Sequence, residues 1–248
     1  MVDNCFFIRY LGFSQNPETS NYIIVMEFAP LGSLCAYLNN ITTWVKRLKA
    51  LRNISQGLLD LHNSNLTHGD FHPGNLLFKS EDSLLITDLG LCRPVNENLQ
   101  SNNIYGIMPY VAPEVLKGKS YTKEADVYSF GMVMYFVATR KQPFNNCAHD
   151  QDLALRICDG VRPEINETEA PRCYIDLMDK CWDSDPNNRP KIAEVVNLIK
   201  SFINNGEFYK KENNRKSINN DQSTHSQAIY TSRLLNPYTK NLSDDCTK

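Results

Sequence analysis

Between Trp44 and Leu61 the apolar residues Trp44, Leu48, Leu51, Ile54, Leu58 and Leu61 return every three or four positions. At 3.6 residues per turn this spacing lines them along one face of a long helix, with Lys46, Arg47, Lys49 and Arg52 falling between them. A helix with one buried stripe implies a core built around it. The chain has 248 residues, 42% of them hydrophobic, enough for one large globular domain.

Two aromatic and β-branched runs precede the helix, Phe6 to Phe13 and Tyr22 to Phe28, separated by a polar loop at Ser14 to Asn21; they read as neighbouring strands. Two short strand-like runs follow it, Asn75 to Lys79 and Leu84 to Thr87. After Glu114 helical patterns dominate, at Lys123 to Thr139, Asp152 to Cys158, Cys173 to Cys181 and Ile192 to Ile203, punctuated by Pro143, Pro163, Pro171 and Pro186. The fold class is α+β, a little strand first and mostly helix afterwards. Residues 1–203 form the domain. Residues 204–248, rich in Asn, Ser, Lys and Thr, read as a disordered polar tail.

The net charge of −2 gives no basic field, so nucleic acid and acidic membrane surfaces are excluded as partners by composition. No stretch approaches the ~20 apolar residues of a membrane span, and the N-terminus carries no signal pattern. Eight cysteines stand singly without C-x-x-C spacing, which reads as reduced, mostly core-filling thiols in a cytoplasmic or nuclear protein.

The chemistry concentrates in His68-Gly69-Asp70-Phe71-His72-Pro73-Gly74-Asn75 and, after a hairpin-like insert, Thr87-Asp88-Leu89-Gly90. Phosphoryl transfer asks a protein for a carboxylate to orient the attacking hydroxyl and for oxygen ligands to hold Mg²⁺ on the phosphates. Asp70, Asn75 and Asp88 supply that set on loops beside strands. An isolated Asp-Leu-Gly is a plain turn; its place after the first loop gives it weight.

These two loops resemble the catalytic loop and the metal-binding triplet of eukaryotic protein kinases. The wording His-Gly-Asp-x-His-Pro-Gly-Asn also resembles small-molecule phosphotransferases of the aminoglycoside and choline kinase type. Three downstream stretches resemble protein kinases alone: Met108 to Glu114, Asp126 to Gly131, and Cys181-Trp182-Asp183 through Arg189-Pro190. The resemblance implies a kinase-like fold that is mostly the helical C-lobe, with remnant N-lobe strands and a hinge. It implies Asp70 as catalytic base with His72 beside it, Asn75 and Asp88 as Mg²⁺ ligands, and His68, Glu114, Asp126 and Arg189 in structural roles. Glu114 would pair with Arg189 in a partly buried ion pair, and Asp126 would accept backbone N–H groups of the catalytic loop. Val25 to Leu34 resembles the last N-lobe strand and hinge, which makes Met26 the gatekeeper, sets the Glu27 and Ala29 backbones against the adenine of ATP, and puts Leu77 beneath it. Tyr105 to Tyr110 and the tail stretch Ala228 to Asn236 resemble tyrosine-kinase-like proteins of expanded fungal families.

Several residues depart from that pattern. No G-x-G-x-x-G occurs, and the first lysine is Lys46, already on the helix after the hinge. Met1 falls roughly where the family's fourth strand begins, so the resemblance runs from about Val2 to Phe202, and a truncated gene model is one expectation. Gly69 replaces the arginine that reads activation-loop phosphorylation. His72 stands where serine/threonine kinases carry a lysine, and Ile107 where they carry a threonine. The expected function is ATP- and Mg²⁺-dependent transfer to protein Ser/Thr or Tyr hydroxyls, slow in this chain alone. The alternatives are a catalytically weak scaffold module, whose exposed edge invites a partner, and a small-molecule phosphotransferase.

Overall fold

The structure is a computed structural model and describes residues 6–95, 103–204, 208, 224–239 and 242. Cys5 and Cys246 lie outside the described residues. Strands β1 (Tyr10–Gln15) and β2 (Tyr22–Met26) form an antiparallel hairpin, Phe13 opposite Ile24. Its turn is set by Asn16, whose Oδ1 accepts from the Glu18 and Thr19 N–H groups. The hairpin stands off the body: Phe13, Tyr22 and Phe28 are 77%, 81% and 82% exposed. It is tied down through residues 6–8, where the Ile8 N–H donates to the Ile86 carbonyl at 3.0 Å.

A short helix α1 (Leu34–Tyr37) leads to α2 (Trp44–Asn63), which Thr43 caps by accepting from the Lys46 N–H. The apolar stripe of α2 is buried throughout, as its period requires. Arg47 falls between the stripe positions and is nevertheless fully buried. Its guanidinium lies over the Trp44 ring, and Nη1 donates to the Ala138 carbonyl at 2.9 Å. A carbonyl at the end of a neighbouring helix can take a buried guanidinium, and no period reveals that.

Strands β3 (Leu66–Thr67), β4 (Leu76–Ser80), β5 (Ser83–Ile86), β6 (Arg93–Pro94) and β7 (Tyr105–Gly106) follow, with β4 and β5 an antiparallel hairpin and β3 paired to β6. The helical half comprises α3 (Pro113–Leu116), α4 (Lys123–Thr139), α5 (Gln151–Cys158), α6 (Arg172–Cys181) and α7 (Ile192–Asn204). From Ala125 onward every residue of α4 is buried. Such a helix belongs in the middle of a domain, and α4 packs between α2 and α6 while α7 covers the other flank of α2. This is the α+β arrangement expected. No described helix is long and apolar enough to cross a membrane.

Two expectations need correction. Residues 224–239 of the polar tail return to the body, where a strand β8 (Arg233–Leu234) pairs antiparallel with β7 and Leu235 is fully buried. Scattered apolar residues in a polar stretch suffice when each drops into a separate anchor point. Among the described cysteines only Cys181 is buried; Cys35 is exposed and the other four are half-buried. Burial still pushes the thiols of Cys35, Cys92, Cys147 and Cys158 up, Cys158 to about 11, which disfavours thiolate chemistry.

Gly131 lies where α4 meets α6, and a Cβ there would sit 3.0 Å from the Cys181 Cβ and 3.2 Å from the Trp182 backbone nitrogen. Gly131→Leu gains helix propensity of about 1 kcal/mol but overpacks this contact, at a cost of up to about 3 kcal/mol. The expected outcome is a net loss, read as a lower urea midpoint at unchanged slope.

Candidate active site

The β4–β5 hairpin acts as the ruler of the site. Leu76 pairs with Ile86, and one step further the Thr87 N–H donates to the Asn75 carbonyl at 2.9 Å. That bond brings Asp88 alongside Asn75. The Asn75 side chain reaches the other way, its Nδ2 donating to the Asp70 carbonyl at 2.9 Å. Asp70, Asn75 and Asp88 are thus joined through one backbone ladder and one amide.

Asp88 holds φ 59°, ψ 63°, a left-handed conformation that costs a non-glycine residue about 1–2 kcal/mol. Gly90 is within 3.3 Å of the Asp88 carboxylate if given a Cβ, so the glycine keeps that carboxylate clear. The orientation of Asn75 that bonds Asp70 leaves Oδ1 as its remaining acceptor. One carboxylate and one amide oxygen are the hard donors that Mg²⁺ takes together with phosphate oxygens, so the residues present fit that ion.

His68 and His72 flank Asp70. His68 donates from Nε2 to the Thr87 carbonyl at 3.0 Å and accepts at Nδ1 from the Asp70 N–H at 3.3 Å. That pattern requires the neutral ring, and burial holds its pKa below the usual histidine value. His72 accepts at Nδ1 from the Gly74 N–H at 3.1 Å, which leaves the proton on Nε2, 3.6 Å from Asp70 Oδ2. Gly74 permits this fold-back, since a Cβ on it would lie 2.8 Å from the imidazole.

Behind the loop, Asp126 is buried in the first turn of α4. Its carboxylate accepts from the His68 N–H at 2.9 Å and the Gly69 N–H at 3.2 Å, and His62 Nε2 lies 3.0 Å from Oδ2. Sequence reasoning missed His62; its signal was its place one turn beyond Leu58 on the buried stripe. Gly69 itself sits at φ +77°, and a Cβ would come within 2.9 Å of the Leu91 carbonyl.

Glu114 and Arg189 form a bidentate pair with both contacts at 2.7 Å. Arg189 is completely buried at its side chain, donates further to the Glu124 and Asp183 carbonyls, and lies over the Tyr128 ring. The pair is buried rather than partly buried, since Glu114 is also only 9% exposed at its side chain. At the hinge, Met26 is exposed and Glu27 and Ala29 are half-buried; Leu77 in β4 is half-buried and bridges to Ser33. The Leu31 N–H donates to Phe78 and the Phe78 N–H to Gly32, which clips the hinge to β4. Among the described hydrogen bonds, the Glu27 carbonyl and the Ala29 N–H take no backbone partner. The Glu27 side chain pairs with Lys79, which holds its carboxyl below the usual range.

Removing one partner of the buried pair strands the other charge. Arg189→Met is expected to cost about 3–5 kcal/mol, measured by denaturant unfolding. His68 gives a pH signature. Its folded-state pKa lies below the unfolded value of about 6.5, so the unfolded chain takes up the proton first and the His68 contribution, full above that pH, is lost on acidification. The stability difference between pH 7.5 and 5.5 should be smaller in His68→Asn than in the unaltered chain.

The model of the protein tyrosine and serine/threonine kinase family matches residues 2–199. Curated relatives agree. The chain is 34% identical over 179 residues to a putative serine/threonine-protein kinase/receptor R818 of Acanthamoeba polyphaga mimivirus, covering 71% of this chain and 11% of that protein. It is 35% identical to the probable serine/threonine-protein kinase roco8 of Dictyostelium discoideum, covering 72% and 10%, and 30% identical to the serine/threonine-protein kinase STY17 of Arabidopsis thaliana, covering 75% and 33%. The chain therefore spans a third or less of the length of these relatives. With a matched region that takes in the whole β4–β5 cradle, α4 and the Glu114–Arg189 pair, the chain belongs to the protein tyrosine and serine/threonine kinase family.

Proposed function

We propose that this chain carries the phosphoryl-transfer site of a serine/threonine-type protein kinase, using ATP and Mg²⁺ and a protein hydroxyl as acceptor. The observation that carries this reading is Asn75, bonded at once to the Asp70 carbonyl and to the Thr87 N–H. It holds a base candidate and two metal-ligand candidates in one cradle. Mg²⁺ bound by Asn75 and Asp88 would neutralise phosphate charge as it develops. Asp70 accepts a hydrogen bond from the acceptor hydroxyl and orients it. The His72 Nε2–H offers a neutral donor where a fixed positive charge would stabilise the transferring group better, and slow turnover follows. The Glu27 carbonyl and Ala29 N–H supply the complementary edge for an adenine, with Met26 beside it and Leu77 under its plane. The names of the relatives favour Ser/Thr over Tyr as acceptor.

A second reading is a docking module, favoured by the exposed aromatic hairpin at Phe13, Tyr22 and Phe28. Here a protein segment covers the hairpin, and nucleotide binding is dispensable.

Calorimetry with Mg·ATP separates the two, with Asp88→Ala alongside. Micromolar binding, lost by at least tenfold in Asp88→Ala, supports the kinase reading. No heat at millimolar nucleotide from a folded chain favours the docking module.

A further inference from the structure

Residues 225–239 hydrogen-bond to the body at two stations, and residues 236–239 also lie against α5. The first is the loop between α4 and α5. The His225 N–H donates to the Asn145 carbonyl at 2.8 Å, and the His149 N–H to the Gln227 carbonyl at 3.0 Å. The His149 ring lies at the centre: Nδ1 accepts from the Ile229 N–H at 3.1 Å, Nε2 is 3.2 Å from the Phe144 carbonyl, and Tyr230 packs edge-on at 4.8 Å. Tyr230 donates its hydroxyl to the Pro143 carbonyl at 2.9 Å, and Arg233 Nη2 donates to the His149 carbonyl at 2.7 Å.

The second station is β7, the stretch just before Met108 to Glu114. Leu234 lies opposite Tyr105 and Arg233 opposite Gly106. The Leu235 N–H donates to the Ile104 carbonyl at 2.7 Å, and the Ile104 N–H returns to Asn236 Oδ1 at 2.8 Å. Leu235 is fully buried in the core.

What β7 borders gives these contacts a consequence. A Cβ on Gly106 would lie 3.5 Å from Asp70 Oδ1, so this strand forms the wall beside the carboxylate. From the body side the wall is held by Tyr121, whose hydroxyl donates to the Tyr105 carbonyl at 2.8 Å. A two-residue strand has little stability without a paired neighbour. A phosphate clasp on this side is unavailable through Gly69, whose left-handed backbone and 2.9 Å approach to Leu91 leave no room for a side chain. Among the described hydrogen bonds the tail reaches neither Asp70 nor His72; it bonds the wall and the loop behind it, and residues 236–239 lie against α5.

We propose that residues 225–239 are a strap, seated in a peptide-docking site built from the 143–149 loop and β7, which holds the wall of the acceptor site in place beside Asp70. The site recognises an extended segment by an aromatic hydroxyl at Tyr230, a guanidinium at Arg233, a buried aliphatic at Leu235 and an amide at Asn236. Its functional meaning rests on Asp70 as the transfer site, but its existence does not. The test therefore reads backbone exchange and uses no phosphoryl transfer.

Hydrogen exchange is compared in the full chain, in a chain ending at residue 223, and in full-length Leu235→Asp. The expected result is exchange at residues 104–107 faster by tenfold or more in both variants, with α4 amides still protected. Adding a synthetic peptide of residues 224–239 to the shortened chain should restore slow exchange at 104–107. Equal protection of 104–107 with and without the strap, in a body whose α4 remains protected, overturns the proposal. So does a peptide that leaves exchange in the shortened chain unchanged. Leu235→Asp keeps the test decisive where shortening unfolds the body. Failure of Mg·ATP binding with a positive exchange result would sink the kinase reading and leave the strap standing.

Discussion

The Asp126 carboxylate is the contact on which the candidate site depends. A buried carboxylate is costly unless its lone pairs are filled, and here two backbone N–H groups and an imidazole fill them. The same bonds satisfy donors in a loop that has no sheet or helix to pair with. Because α4 is buried on every side, it is a rigid mount, and the bend at His68-Gly69 inherits that rigidity. From there the order is passed on: His68 to Thr87, Asp70 to Asn75, Asn75 to the hairpin, and the hairpin to Asp88. The three chemistry-bearing side chains sit on loops, yet each loop is tied to a regular element within one or two residues.

A second anchor lies on the far side of the segment that ends in α3. The Glu114–Arg189 pair fixes its C-terminal end with two short charge-assisted bonds and a guanidinium stacked on Tyr128. At its N-terminal end, β7, the described side-chain hydrogen bond from the body side comes from Tyr121. The segment is therefore held unequally, strongly at one end by an ion pair and at the other by a short ladder, and the two ends differ in how easily they open.

Much of this architecture was legible because its signals are periodic. The stripe of α2 and the span of α4 follow from apolar spacing, and the two loops of the site from a carboxylate, an amide and a carboxylate set beside short strands. What was not legible rests on single long-range contacts. Arg47 looks like any surface cation at its position, and only the Ala138 carbonyl, far along the chain, explains its burial. His62 carries no motif of its own. The tail failed for the same reason: Tyr230, Arg233 and Leu235 follow no helical or strand period, since each fits a different feature of the body. Composition reads such a stretch as unable to form a core, and says nothing of whether it can join one.

The β4–β5 hairpin also decides which changes of length the site could survive. Its turn at Glu81 and Asp82 is exposed and far from the chemistry, so residues added there lengthen a loop and leave the pairing of Leu76 with Ile86 intact. A single residue lost within β5 is different. Side chains alternate faces along a strand and each step is about 3.4 Å, so a slip of one would carry Asp88 away from Asn75 and turn it over. Across variants of this chain, insertions and deletions should accumulate at the tip of the hairpin and be absent from its rungs.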